Sequence, residues 1–312
     1  MSTRDAILAL EQVNKEYLTL INSKEYRRGK RITKISKAFQ QHDFRALFGF
    51  VKSLIIQHKM MKISKQNKRV DVFPQYQIEK AKKFYRGAIY TCITGGYDVP
   101  SEPIYIGPGE KFFLYTDEEK HEDESTWNIV STKKFSGVNQ ESNINRYCKM
   151  HPKELFPDFD YSIYIDGNVQ VVSDISMLYE IAKKSKTGIA MHRHHARECT
   201  YKEAKACITA RRGNAEAIKR QMYRYKENGF PENFGFCEAT IIVVDLHNDL
   251  AKSILCDWWE EYTESKSRRD QLALPFVIWK HGLKMVDIGD LGNNLLMNPK
   301  FRIVNLGAHS FR

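Results

Sequence analysis

The chain has no long apolar run, no paired cysteines and no glycine-rich phosphate loop, and each absence removes a class of protein. No stretch approaches the roughly 20 apolar residues of a bilayer-spanning helix, and the N-terminus lacks the basic segment and apolar core of a secretory signal. The six cysteines (Cys92, Cys148, Cys199, Cys207, Cys237, Cys256) form no CxxC pair and no zinc-module spacing. Several lie in apolar surroundings, where a reduced thiol behaves as a small hydrophobe, so a reducing cytoplasm is the expected compartment. The 17 glycines never fall as GxGxxG or as a Walker lysine loop. GxSxG and HExxH are also missing, which argues against a lipid hydrolase.

What is present is unevenly spread. Residues 1–86 hold 20 Lys/Arg against 7 Asp/Glu, and the remainder holds 29 against 31. The net charge of +11 therefore belongs to an N-terminal arm. Two regions are expected: a basic helical stretch over 1–85, and an α/β domain over 86–312. In the arm, Ile7, Leu10, Val13, Tyr17, Leu20 and Ile21 fall on one helical face. Phe44, Leu47, Phe48, Val51, Leu54 and Ile55 form a second stripe. That stripe, within residues 44–55, can pack on a neighbouring helix or lie on an anionic membrane surface as a peripheral contact on the inner face. Only the charge of the arm speaks for nucleic acid, and no nucleic-acid partner is expected. Ser64–Arg69 reads as a connector.

From Gly87 onward strands and helices alternate. Strands are expected at Ala88–Thr94, Lys111–Tyr115, Trp127–Ser131, Tyr161–Ile165, Gly188–Met191 and Ala239–Asp245. Helices are expected at Asn143–Phe156, after Asp174 to about Lys184, from about Tyr201, and at Ala251–Glu264 and Asp270–Lys280. This order argues for an α/β sandwich with a mixed, mostly parallel sheet.

The strand Tyr161–Ile165 ends in Asp166-Gly-Asn168. Ligands of α/β sheets bind at the carboxyl ends of strands, and a carboxylate with an amide oxygen two residues on suits a divalent cation holding a diphosphate. An ordinary Asp-Gly turn reads the same way. Gly95-Gly96-Tyr97-Asp98 follows the first strand and permits close backbone approach, as does any tight turn. Arg146 and Lys149 share a helical face, where they can hold phosphate oxygens or stay solvated. His192–Cys199 carries three imidazoles and a thiol without a zinc pattern. It reads as a loop that meets an anionic ligand through His194 and Arg197, with Glu203 about a turn further on. Gly235 can let a sugar ring approach, and Glu238 can accept from sugar hydroxyls; the alternative is a glycine kink with an ion-paired glutamate. Asp270 and Gln271 open an apolar helix, either as dipole partners or as a grip on a sugar.

Taken in order, Ala88–Asp98, Phe113–Asp117, Arg146–His151, Pro157–Asn168, His194–Ala204, Gly235–Glu238 and Arg269–Gln271 resemble a glycosyltransferase-like family of plant and bacterial polysaccharide-biosynthesis proteins, formerly a domain of unknown function. The resemblance covers roughly residues 87–280. It implies a GT-A fold, a nucleotide-sugar donor, a hexosyltransferase-like activity on a cell-surface polysaccharide or lipopolysaccharide (a glycan or glycolipid acceptor), and Mn²⁺ or Mg²⁺. On this resemblance Thr91, Gly96, Tyr97 and Asp98 cradle base and ribose, with Arg146, Lys149, Asp166, His194, Arg197 and Gly235 completing the donor site. Asp166, Asn168 and His309 hold the metal, and Asp270, Glu238 and Gln271 act on the sugars. Asn168 stands where the family pattern has a second carboxylate. A non-catalytic sugar- or lipid-binding module is the alternative.

Overall fold

All five residues of Tyr161–Ile165 are buried, because their alternating side chains enter two different cores. Tyr161, Ile163 and Ile165 join one apolar cluster and Tyr164 the other. A strand covered on both faces lies inside a sheet with helices on each side. The structure, a computed structural model, describes residues 2–63, 85–96, 98–118, 125–135, 138 and 141–304. Tyr97, His309 and the Ser64–Arg69 connector lie outside the described residues.

Three helices come first, α1 (Thr3–Asn22), α2 (Lys24–Gln40) and α3 (Phe44–Ile63). The sandwich then runs β1 (Gly87–Ile93), β2 (Glu110–Thr116), β3 (Trp127–Ser131), α4 (Glu141–Met150), α5 (Pro152–Leu155), β4 (Tyr161–Ile165), β5 (Val169–Val171), α6 (Met177–Lys184) and β6 (Ile189–Arg193). It ends with α7 (Thr200–Thr209), α8 (Ala215–Glu227), β7 (Cys237–Asp245), α9 (Asp249–Ser265), α10 (Asp270–Lys280), β8 (Gly289–Asp290) and β9 (Phe301–Ile303). The helix expected over Asn143–Phe156 is two helices. Pro152 has no N–H to continue the ladder and opens α5 at its first turn.

The main sheet has the order β3-β2-β1-β4-β7-β6-β8. The pairs β1–β2, β2–β3, β1–β4 and β6–β8 are parallel, while β7 runs antiparallel to both β4 and β6. Cys148, Met150, Ile254, Trp258, Ala273 and Val277 from α4, α9 and α10 fill one core, and α6 closes the other with Leu178 and Ala182. This is the mixed, mostly parallel α/β/α sandwich with a helical arm that the sequence indicates, consistent with a GT-A-like architecture. Among the described residues no helix is long and apolar enough to cross a membrane.

The face that α1 buries differs from expectation. Ile7, Asn14 and Leu18 turn inward, while Val13 and Leu20 stay exposed. The reason is a polar residue: Asn14 Nδ2 donates to the carbonyls of Pro299 (2.8 Å) and Phe301 (2.9 Å), and its Oδ1 accepts from Arg302 Nε (3.1 Å). Beside it the fully buried Lys300 ammonium pairs with Glu11 and donates to Asp174 O at 2.9 Å. Through these bonds α1 is fixed to the C-terminal segment, which in turn pairs as β9 with β5.

Candidate active site

Asp166 sits where β4 ends, its N–H donating to Thr240 O at 3.0 Å. The antiparallel register carries β7 past that end, so the first residues of β7 border the turn. Gly167 allows the loop after β1 to come close: a Cβ there would lie 2.8 Å from Ile93 Cδ1 and 3.4 Å from Asp98 Cβ. Tyr164 OH donates to Asp166 Oδ1 at 3.1 Å.

The centre of this end of the sheet is a buried ammonium. Lys149 Nζ lies 3.5 Å from Asp166 Oδ1, 3.3 Å from Asp270 Oδ2 and 2.9 Å from Ala239 O, and 4.6 Å from the centroid of the Tyr164 ring. Asp270 is equally buried, which alone would raise its pKa. Lys149, Arg146 and Arg269 instead hold it well below the usual carboxylate range. Burial would lower the Arg146 guanidinium, but Asp270, with lesser help from Tyr262, Tyr164 and Asp166, raises it. The basic pair on α4 is therefore turned inward between two carboxylates and is not a solvated face.

A second cluster begins one residue before Ala239. Glu238 Oε1 is 2.8 Å from His195 Nδ1, and the His195 ring stacks on His194 at 5.0 Å. Burial would raise Glu238, yet His195, His194 and His192 bring it below its ordinary value. His194 is buried and pushed down to about 4 by desolvation, so it is neutral near pH 7. Its Nδ1 accepts the N–H groups of Ala196 and Arg197, both at 3.1 Å. Arg197 pairs with the buried Glu203 and places Nη2 3.2 Å from His194 Nε2. His192, fully buried on β6, is likewise pushed down to about 4 by burial.

Ligand atoms of His194, His195 and Glu238 all lie within 4.8 Å of one another, so the three can share a divalent ion. Two imidazoles and one carboxylate fit Mn²⁺ better than Mg²⁺, which prefers oxygen. An ion there would have to displace Arg197 from the His194 ring. Asp166 and Asn168 offer oxygen donors instead, and Asn168 O accepts from Val304 N at 2.8 Å where the described chain ends.

The other expected residues are placed as follows. Thr91 is fully buried within β1. Gly96 has φ +59° and faces Glu118, and the neighbouring Gly95 N–H donates to the Asp117 carboxylate at 3.0 Å. Gln271 Nε2 donates to Cys237 O at 2.8 Å. At Gly235, φ is +104°, and Met285 fills the space a Cβ would take, 2.8 Å away. Asp166, Lys149, Arg146, Asp270, Gln271 and Glu238 meet at one end of the sheet, with His194 and Arg197 beside them. Tyr164 and His195 also touch this cluster, through Asp166 and Glu238, in contacts that the sequence does not indicate. Tyr164 reads as core in an alternating strand, and the partner of His195 is 43 residues away.

Residues 87–290 match the TOD1/MUCI70, glycosyltransferase-like domain family, and the chain belongs to it. No curated protein matches the chain. Among solved structures it is similar to the WbbM bifunctional glycosyltransferase, at 10% identity and a TM-score of 0.38, with 65% of this chain and 38% of that chain covered. It is also similar to the mannosyltransferase Ktr4p from S. cerevisiae, at 9% identity and a TM-score of 0.36, covering 72% and 76%. The galactosyltransferase LgtC gives 11% identity and a TM-score of 0.35, covering 61% and 70%.

Proposed function

We propose that the carboxyl end of β4 binds a nucleotide-sugar and transfers its sugar to a polysaccharide or lipopolysaccharide acceptor. The observation that carries this reading is the convergence of Asp166, Asp270 and Glu238 with Lys149, Arg146 and the His194–Arg197 loop. In the transfer, the bond from the anomeric carbon to the diphosphate breaks and a bond to an acceptor hydroxyl forms. The hydroxyl proton passes to a carboxylate, a role assigned to Glu238. Asp270 and Gln271 orient the sugars, and Lys149 sets the position and charge of Asp166. Asp98 and the Gly95–Gly96 turn border the base and ribose.

A divalent ion, Mn²⁺ or Mg²⁺, bound by Asp166 and Asn168 with His309 or by the histidine cluster, would supply positive charge to the departing diphosphate. Lys149 favours a second reading of the same site, because an internal ammonium already faces Asp166 and Asp270. In that reading transfer needs no added metal. The mostly buried cysteines form no disulfide among the described residues, which suits a reducing cytoplasm.

The test is a thermal-shift screen of nucleoside diphosphates and nucleotide-sugars with and without Mn²⁺, followed by donor hydrolysis and transfer assays. A ligand that binds the native state raises Tm, and Asp166→Ala should abolish both that shift and turnover while folding normally. Turnover that survives EDTA selects the metal-free reading. A shift without any turnover selects a binding module, and an Asp166→Ala variant of full activity overturns the assignment.

A further inference from the structure

Helix α3 carries an apolar stripe that the fold leaves open. Phe44, Phe48, Val51 and Ile55 recur at helical spacing on one face, with 70%, 74%, 52% and 53% of their surfaces exposed. Leu47, Phe50 and Leu54 are half-buried on the other side, where α3 lies against α2 and α7. The stripe is thus additional to the face that packing uses. Arg45, Lys52 and Lys59, each seven residues from the next, form a basic row along one edge of it. Lys62 continues the stripe at its end. On α2, Ile32 and Phe39 are also exposed, seven residues apart.

We infer that this face docks the protein on a bilayer surface rich in anionic lipid, with α3 lying in the interface. The pattern of apolar side chains flanked by long cations suits that boundary: rings enter the acyl region while lysine and arginine stems keep their charges among the headgroups. Charge decides against a second copy as the occupant. Residues 24–62 hold 11 Lys/Arg and 2 Asp/Glu, so two such faces repel one another. A nucleic-acid backbone would meet the charges but leave four large apolar side chains uncovered. The arm reaches the candidate active site through α7, which follows the His194–Arg197 loop directly.

The experiment is vesicle flotation of the full chain, and it needs no turnover, so it stands apart from the proposed transfer activity. The protein should float with phosphatidylcholine vesicles containing phosphatidylserine, remain behind with phosphatidylcholine alone, and be released by high salt. Phe44→Ser/Phe48→Ser should lower the partition coefficient by about tenfold or more. Arg45→Glu/Lys52→Glu/Lys59→Glu should lower it by about a hundredfold. Both variants alter exposed positions, so an unchanged Tm checks that they fold. A wild-type chain that stays behind with anionic vesicles overturns the proposal, as do variants that float like wild type. A dimer in sedimentation velocity that Phe48→Ser dissociates also overturns it.

Discussion

Two buried carboxyl groups, one at each end of the sheet, are shifted in opposite directions by their neighbours. Asp270, at the carboxyl end, lies against Lys149 and near Arg146, and stays ionised far below the usual range. Glu110, at the amino end, is just as buried but has no ion-pair partner among the described residues. It accepts from Gly107 N–H (2.8 Å) and Tyr161 OH (3.0 Å), and burial pushes it up to about 7 despite them, with Asp174 adding to the rise. Hydrogen bonds alone do not offset desolvation of a carboxylate, whereas an ammonium at ion-pair distance does. The fold therefore keeps fixed charge at the end where the proposed nucleotide-sugar would bind, and leaves Glu110 without a counter-charge at the other.

The sharpest way to break the contrast is Lys149→Met, which takes from Asp270 its ion-pair partner and leaves only Arg146 and Arg269 near it. Unfolding in urea should show a loss of about 3–5 kcal/mol, much of it restored in Lys149→Met/Asp270→Leu. Next is Glu110→Gln. Between about 4.5 and about 7 the folded state holds a proton on Glu110 that the unfolded chain releases, so wild-type stability falls as pH rises through that window. The variant should remove a decline of about 3 kcal/mol from the pH–stability curve. Asp270 has the opposite sign: its contribution is complete above the ordinary carboxylate range and is lost as pH falls below it. A smaller effect, about 2 kcal/mol in the same assay, is expected of Glu11→Ala, which takes the counter-charge from buried Lys300. The least is expected of Phe48→Ser on the exposed stripe, within about 0.5 kcal/mol.

How much of this could be read beforehand depended on whether the signal was local. The alternation of Tyr161–Ile165, the turn after it and the helix opening at Asp270 are all written within a few residues, and the sandwich follows from their order. The sequence indicates one helix from about Tyr201, whereas the structure has two, α7 and α8, parted at Gly213 with φ +82°. The inward face of α1 departs from its apolar stripe because Asn14 belongs to the core, where carbonyls 285 and 287 residues away take its amide. Arg146 and Lys149 share a face as spacing suggests, but spacing says nothing of the two carboxylates that enclose them. Short strands such as β5 and β9, three residues each, have no period to detect.

The bonds of Asn14 have a mechanical meaning. They join α1 to β9, β9 joins β5, and β5 begins at the residue after Asn168. An arm held by anything outside the molecule is thus coupled, through Asn14, the Glu11–Lys300 pair and one two-stranded ribbon, to the backbone of the Asp-Gly-Asn turn. Asn14→Ala combined with Glu11→Ala would loosen the turn from the arm without altering a single residue at the carboxyl end of the sheet.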